Sequence, residues 1–254
     1  MNLKPILRYQ LRQYRNAFLA IYGLIYGLLV LVLVFKYLRH SVGGAVGGSG
    51  LDGMTMLACL IGGLVLFKNA FRFFTSCSVS RRRLFCGFAA AIAIIAAIVS
   101  LIDIVNAMIF SNFIDYRTFY TARIFGDSVA AKGSNALPAV PFTFALLLKN
   151  WLWCLLSDFS LGMLGFLIGA LYYRMSKPVK ILVSVGVPAF FFLFLPLFDF
   201  NVTHWAIVRF LAAAWAQWTN WGMNPGLDLL SRLAVAALFG GGIWLLLRKA
   251  ELYH

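Results

Sequence analysis

Six stretches of this chain, near Ala17 to Tyr37, Met54 to Phe74, Leu84 to Phe110, Phe142 to Tyr172, Val179 to Phe198 and Leu229 to Leu247, are almost wholly apolar. Each matches the roughly 20 residues a helix needs to cross a bilayer core of about 30 Å. Lipid offers no partner for a bare backbone group, so stretches of this kind cross as helices or not at all. The expectation is an all-α integral membrane protein with six transmembrane helices. Composition agrees, because 62% of the 254 residues are hydrophobic and only 12% are charged, which excludes an ordinary soluble domain.

The net charge of +14 would suggest a nucleic-acid partner in a soluble chain. Here the basic residues lie mostly between apolar stretches, where they set topology, and no nucleic-acid partner is expected. Lys4, Arg8, Arg12 and Arg15 precede the first stretch; Lys68, Arg72, Arg81, Arg82 and Arg83 follow the second. Arg174, Lys177 and Lys180 follow the fourth, and Arg248 and Lys249 the last. All four groups fall on one side, which makes that side, with both termini, cytoplasmic. The other side carries the sparser Lys36, Arg39, Arg117, Arg123, Lys132 and Arg209.

The first apolar stretch is too long for a secretory signal and lacks an A-x-A-like cleavage site, so it reads as a retained span. Cys59, Cys77, Cys86 and Cys154 show no CxxC spacing and read as reduced structural thiols. The Asn201-Val202-Thr203 sequon is a weak match. Residues 204–228, "HWAIVRFLAAAWAQWTNWGMNPGLD", would put the basic end outside if they formed a full span. A re-entrant or interfacial helical pair fits better, with Trp205, Trp215, Trp218 and Trp221 at headgroup depth and "NPG" closing the turn. The single domain over 1–254 then divides into an N-terminal helix (1–16), spans one to three (17–110), an extracellular loop (111–141), spans four and five (142–198), the re-entrant or interfacial helices (199–228), and span six with a cytoplasmic tail (229–254).

Two features go beyond topology. Helical spacing places Leu3, Ile6, Leu7, Leu11, Tyr14 and Phe18 on one face of the N-terminus and Lys4, Arg8, Arg12 and Arg15 on another, with Pro5 tolerated in the first turn. Such a helix is expected to lie in the interface plane, and simple lipid anchoring would suffice to explain it. The second feature is "FKNAFRFFTSCSVSRRRLFCGF", which extends the second helix, turns at Ser76, Ser78 and Ser80, and re-enters the bilayer at Leu84 and Phe85. Its arginines suit anionic lipid or an acidic protein groove, and Ser78 or Ser80 can cap the next helix.

These segments resemble the ABC-2 type permeases of ATP-binding-cassette exporters. The likeness runs over nearly the whole chain: an amphipathic elbow at "LKPILRYQLRQYR", a Ser-Arg turn at "VSRRRLFCG", paired short helices before the last span, and a terminal "LLLRKAELYH" similar to the family's "RRAE" tail. Within the family it looks most like the permeases of phenol-soluble modulin exporters and some bacteriocin transporters. The resemblance implies a second permease subunit, identical or different, and two copies of an ABC ATPase subunit that bind ATP and Mg. It also implies coupling through the elbow and through Ser76, Ser78, Ser80, Arg81, Arg82, Arg83, Leu84 and Phe85, a bacterial cytoplasmic membrane, and amphipathic peptide as cargo. Export of lipid, glycan or drug is the alternative within transport; a membrane scaffold or immunity component is the alternative outside it.

No GxxxxGK[ST] occurs, so this chain supplies no Walker loop of its own. Glu251 is the sole glutamate, His40, His204 and His254 are scattered, and no HExxH, GxSxG or paired carboxylate appears, so neither an embedded enzyme nor a metal site is expected. Asp103, Asn106 and Asp158 fall within spans. Such carboxylates face a protein interior or a watery pathway; the sharper reading is a proton site, and the plainer, favoured one is a helix–helix hydrogen bond or a place near the interface. Gly23 with Gly27 and Gly165 with Gly169 form GxxxG pairs suited to close packing, within the subunit or at a permease dimer seam. Phe190, Phe191, Phe192, Phe194 and Phe198 make the fifth span unusually aromatic, and Pro188 and Pro196 allow irregular backbone. By the family likeness Phe190, Phe191, Phe194 and Phe198 could line the cargo pathway; lipid-facing bulk explains them equally well.

Overall fold

The computed structural model describes residues 4–38, 47–49, 51–76, 80–111, 115–121, 143–190, 194–200, 205–207, 209–210, 213 and 224–248. Helix dominates: α1 (Lys4–Leu38), α2 (Leu51–Ser76), α3 (Arg81–Phe110), α4 (Phe144–Arg174), α5 (Lys177–Ala189), the short α6 (Leu195–Phe198) and α7 (Pro225–Arg248). The only departure among the described residues is a parallel ribbon of β1 (Gly47–Ser49) with β2 (Asp115–Arg117), which joins two loops expected to be plain connections.

Three helices, Arg81–Phe110, Phe144–Arg174 and Gly226–Arg248, are long and apolar enough to cross a membrane, and shorter apolar helical stretches run over Phe18–Leu28 and Asp52–Val65. That is the make-up of a membrane protein. The packed centre is a bundle of α2, α3, α4 and α7 with the first half of α1 along its side. Leu84, Phe88, Ile92, Met163, Phe166, Ile243 and Leu247 form its core. The Phe88 and Phe166 ring centroids lie 4.5 Å apart.

Glycine decides the closest contact in this bundle. A Cβ on Gly63 would run into the Gly162 carbonyl oxygen, and one on Gly165 into that of Leu60, so only glycine lets the α2 and α4 backbones approach this far. On α2, Gly62 leaves room for the Tyr14 ring. The expected Gly23–Gly27 pair packs differently: a Cβ at either position meets nothing within 4 Å.

Other expectations are corrected. The elbow is no separate interfacial helix, because α1 runs unbroken from Lys4 into the first apolar stretch. No glycine or proline lies between Pro5 and Gly23 to end it, and its apolar face packs on protein: Tyr14 is buried in the core, with Leu11, Phe18 and Tyr22 against it. At about 1.5 Å per residue its 35 residues reach roughly 52 Å, more than a bilayer core. The fifth apolar stretch is not one straight helix. Helix α5 carries Pro188 in its interior and ends at Ala189, and wider π-type turns at Phe190 and Phe194 precede α6; proline removes a backbone donor and crowds the preceding turn. Finally, "NPG" opens α7 instead of closing a turn: Pro225 is its first residue, and the Asn224 carbonyl accepts the Asp228 N–H at 3.1 Å.

Candidate functional site

The basic turn sits at one end of the bundle. Arg81, Arg82 and Arg83 are the first turn of α3, where re-entry was expected only at Leu84. Ser80 occupies the N-cap with extended backbone, but its side chain makes no cap bond; its carbonyl accepts the Leu84 N–H at 3.0 Å. Basic residues oppose the helix dipole here, at about 0.3–1 kcal/mol each, and no acidic residue offsets them. Their placement therefore has a source outside helix stability.

Arg81 has a local role. Its Nη1 donates to the carbonyl oxygens of Arg248, at 2.6 Å, and Leu247, at 3.4 Å, so it caps the C-terminal end of α7. Helix ends leave such carbonyls without intrahelical donors. Arg82 and Arg83 are exposed, whereas Leu84 is buried and Phe85 half-buried, with the Phe85 ring 5.7 Å from that of Trp244. The exposed Arg8, Arg12 and Arg15 belong to the same end, because Tyr22 and Tyr26 of α1 meet Asp103 and Asn106 of α3 and the two helices run parallel. Helix α4 ends there with Arg174. Lys4 and Ser76 lie on described helix, but their side chains lie outside the described residues, as do Ser78, Lys249, Glu251, Trp215, Trp218 and Trp221.

The intramembrane polar residues fall into two different situations. Asp103 is held between helices: the Thr55 hydroxyl donates to its Oδ2 at 2.6 Å and the Tyr22 hydroxyl to its Oδ1 at 3.4 Å. Asn106 accepts from the Tyr26 hydroxyl at 2.8 Å. Asp158 is fully buried, and neither of its oxygens has a hydrogen-bond partner.

A second polar network closes the opposite end and was not foreseen. Trp153 Nε1 donates to Asp228 Oδ2 at 2.6 Å, and Arg232 pairs with the same oxygen at 3.4 Å. The Arg232 guanidinium lies 4.1 Å from the Trp153 ring centre, and its Nη1 donates to Ser157 Oγ at 2.6 Å. Asp52 Oδ2 accepts the Phe119 N–H at 2.7 Å, which ties the segment after β2 to the start of α2. Asp228 four residues before Arg232 was a visible signal; their meeting with Trp153 was not.

The aromatic stretch is an exposed ladder. The rings of Phe190 and Phe194 stack at 5.7 Å and those of Phe194 and Phe198 at 6.2 Å, so these three share one face instead of covering the helix all round. Phe191 lies outside the described residues. Among the described residues no group of three or more histidine, cysteine or acidic side chains is arranged to hold a metal. Comparison with protein-family models, with curated proteins and with solved structures gave no match.

Proposed function

We propose that this chain is the permease subunit of an ATP-driven ABC exporter of the bacterial cytoplasmic membrane, with amphipathic peptide as cargo and a separate ATPase subunit as motor. The observation that carries the reading is the division of labour in the basic turn. Arg81 is spent on capping α7, while Arg82 and Arg83 stand exposed at a helix start where the dipole disfavours them. An acidic groove on a partner offsets that cost, and the link through Arg81 carries movement of the turn directly to α7.

The six apolar stretches, the cytoplasmic placement of both termini and pairing with a second permease subunit belong to the same proposal. Nucleotide-driven closure of the ATPases shifts the bundle between inward and outward access. The Phe190–Phe194–Phe198 face suits the apolar side of an amphipathic helix. ATP and Mg are held by the partner; this chain contributes docking and pathway.

Co-purification in mild detergent tests the docking. Wild type is expected to recover a Walker-loop ATPase, and the Arg82→Ala, Arg83→Ala double variant to lose it while keeping its fold, since Arg81 is left in place. Equal recovery by both would remove the docking role from these arginines. Recovery by neither would overturn the exporter reading.

A further inference from the structure

Asp158 is the one buried carboxylate in the described core for which the fold provides no donor. It lies near the middle of the 31-residue α4, fully buried, with both oxygens unpartnered. Two other carboxylates are close enough to act on it electrostatically, Asp103 of α3 and Asp52 of α2, and both are buried. The groups facing this place carry no positive charge: α1 contributes the Tyr22 phenol, α2 the Cys59 thiol and α4 the Cys154 thiol. The nearest cation, Arg232 of α7, is engaged by Asp228 and Ser157. Three carboxylates without a facing cation, one of them without a hydrogen bond, leave a small positive ligand as what completes the site.

We infer that Asp158, with Asp103 and Asp52, forms a proton-binding site in the membrane-embedded core, reached from the end of the bundle that carries the β1–β2 ribbon. A proton fits where a larger cation does not: no metal-holding cluster occurs among the described residues, and two interacting carboxylates readily share one proton. The carboxylates are graded in depth. Asp52 is the second residue of α2, at the ribbon end; Thr55, one turn further in, donates to Asp103; Asp158 lies deepest. A proton entering at Asp52 has a carboxylate at each stage, with the Thr55 and Tyr22 hydroxyls between them. Binding adds one proton to a carboxylate and breaks no bond. The site stands independently of the exporter reading, and the two fail separately.

Infrared spectroscopy of the purified chain in lipid nanodiscs tests it, reading the carbonyl stretch of neutral carboxyls apart from that of carboxylates as pH is varied. Wild type is expected to show a neutral-carboxyl band at neutral pH that disappears in Asp158→Asn and moves in frequency but persists in Asp158→Glu, which covers misfolding of the first variant. In Asp103→Asn the loss of a neighbouring negative charge makes the proton easier to release, so the band titrates at lower pH. A wild-type spectrum that matches Asp158→Asn throughout would overturn the site. So would a band that appears only when sodium is replaced by choline, which would make the occupant a metal cation.

Discussion

The α2–α3–α4–α7 bundle and the α5–α6 arm are both apolar, yet one is packed and the other is not. In the bundle, Gly63, Gly162 and Gly165 let backbones touch, and hydroxyl–carboxylate and indole–carboxylate bonds cross between helices. No residue of α5 is buried; Ile181, Leu182 and Val185 are each about two-thirds exposed, and a Cβ on Gly186 would meet nothing. Its described polar link to α4 is the Tyr172–Ser184 hydroxyl pair at 3.0 Å. Apolar surface is at home in lipid, so apolarity alone gives membrane helices no reason to associate; small residues and polar bonds do. The arm has the apolarity without the means, and its surface is left for lipid, cargo or a second subunit.

That contrast can be broken most sharply at glycine. Gly165→Leu forces a side chain into the Leu60 carbonyl and is expected to cost at least about 3 kcal/mol, seen as a large drop in melting temperature or loss of folded protein in detergent. Gly186→Leu on the arm is expected to leave melting unchanged or raise it slightly, since an exposed helical glycine is worse than a residue with a side chain by about 0.5–1 kcal/mol. Equal destabilisation by both would end the distinction.

Polar bonds give the next largest effect. Trp153→Phe leaves Asp228 Oδ2 without its indole donor and is expected to destabilise by about 1–3 kcal/mol, read from thermal or chemical unfolding. Replacing Phe190, Phe194 and Phe198 together by alanine is expected to move stability far less, by roughly 0.5 kcal/mol per exposed site at most, while reducing cargo-stimulated ATP hydrolysis. Unchanged stimulation would assign the ladder to lipid.

The smallest effect concerns the loop end of the bundle. Burial, followed by the nearby Asp228, raises the Tyr120 phenol above its ordinary value of 10.0. The folded state therefore resists ionisation that the unfolded chain accepts, so stability is intact below pH 10 and falls as pH rises beyond it. Tyr120→Phe is expected to flatten that alkaline loss; an unchanged slope would show that the phenol contributes nothing to it.

How far the sequence led depends on the range of the interaction. The ends of α3 and α4 follow from unbroken apolar stretches and fall within about three residues of expectation. Asp103, Asn106 and Asp158 were recognisable as membrane-depth polar residues because so few occur. An amphipathic face does not reveal whether it meets lipid or protein, so α1 was expected to end where it continues. GxxxG spacing does not reveal which helix arrives, so Gly23 and Gly27 stood out while Gly63 and Gly162 did not. The meetings of Asp52 with Phe119, Arg81 with Arg248, and Trp153 with Asp228 join residues 67, 167 and 75 apart. No local pattern encodes partners so distant.

ATP-driven movement of a fluorescent amphipathic helical peptide into inside-out membrane vesicles containing this chain and its co-purifying ATPase tests the exporter reading most directly. The account predicts accumulation that requires ATP and falls when Phe190, Phe194 and Phe198 are all alanine. Vesicles that hydrolyse ATP with the ATPase bound, yet accumulate no peptide, would contradict it.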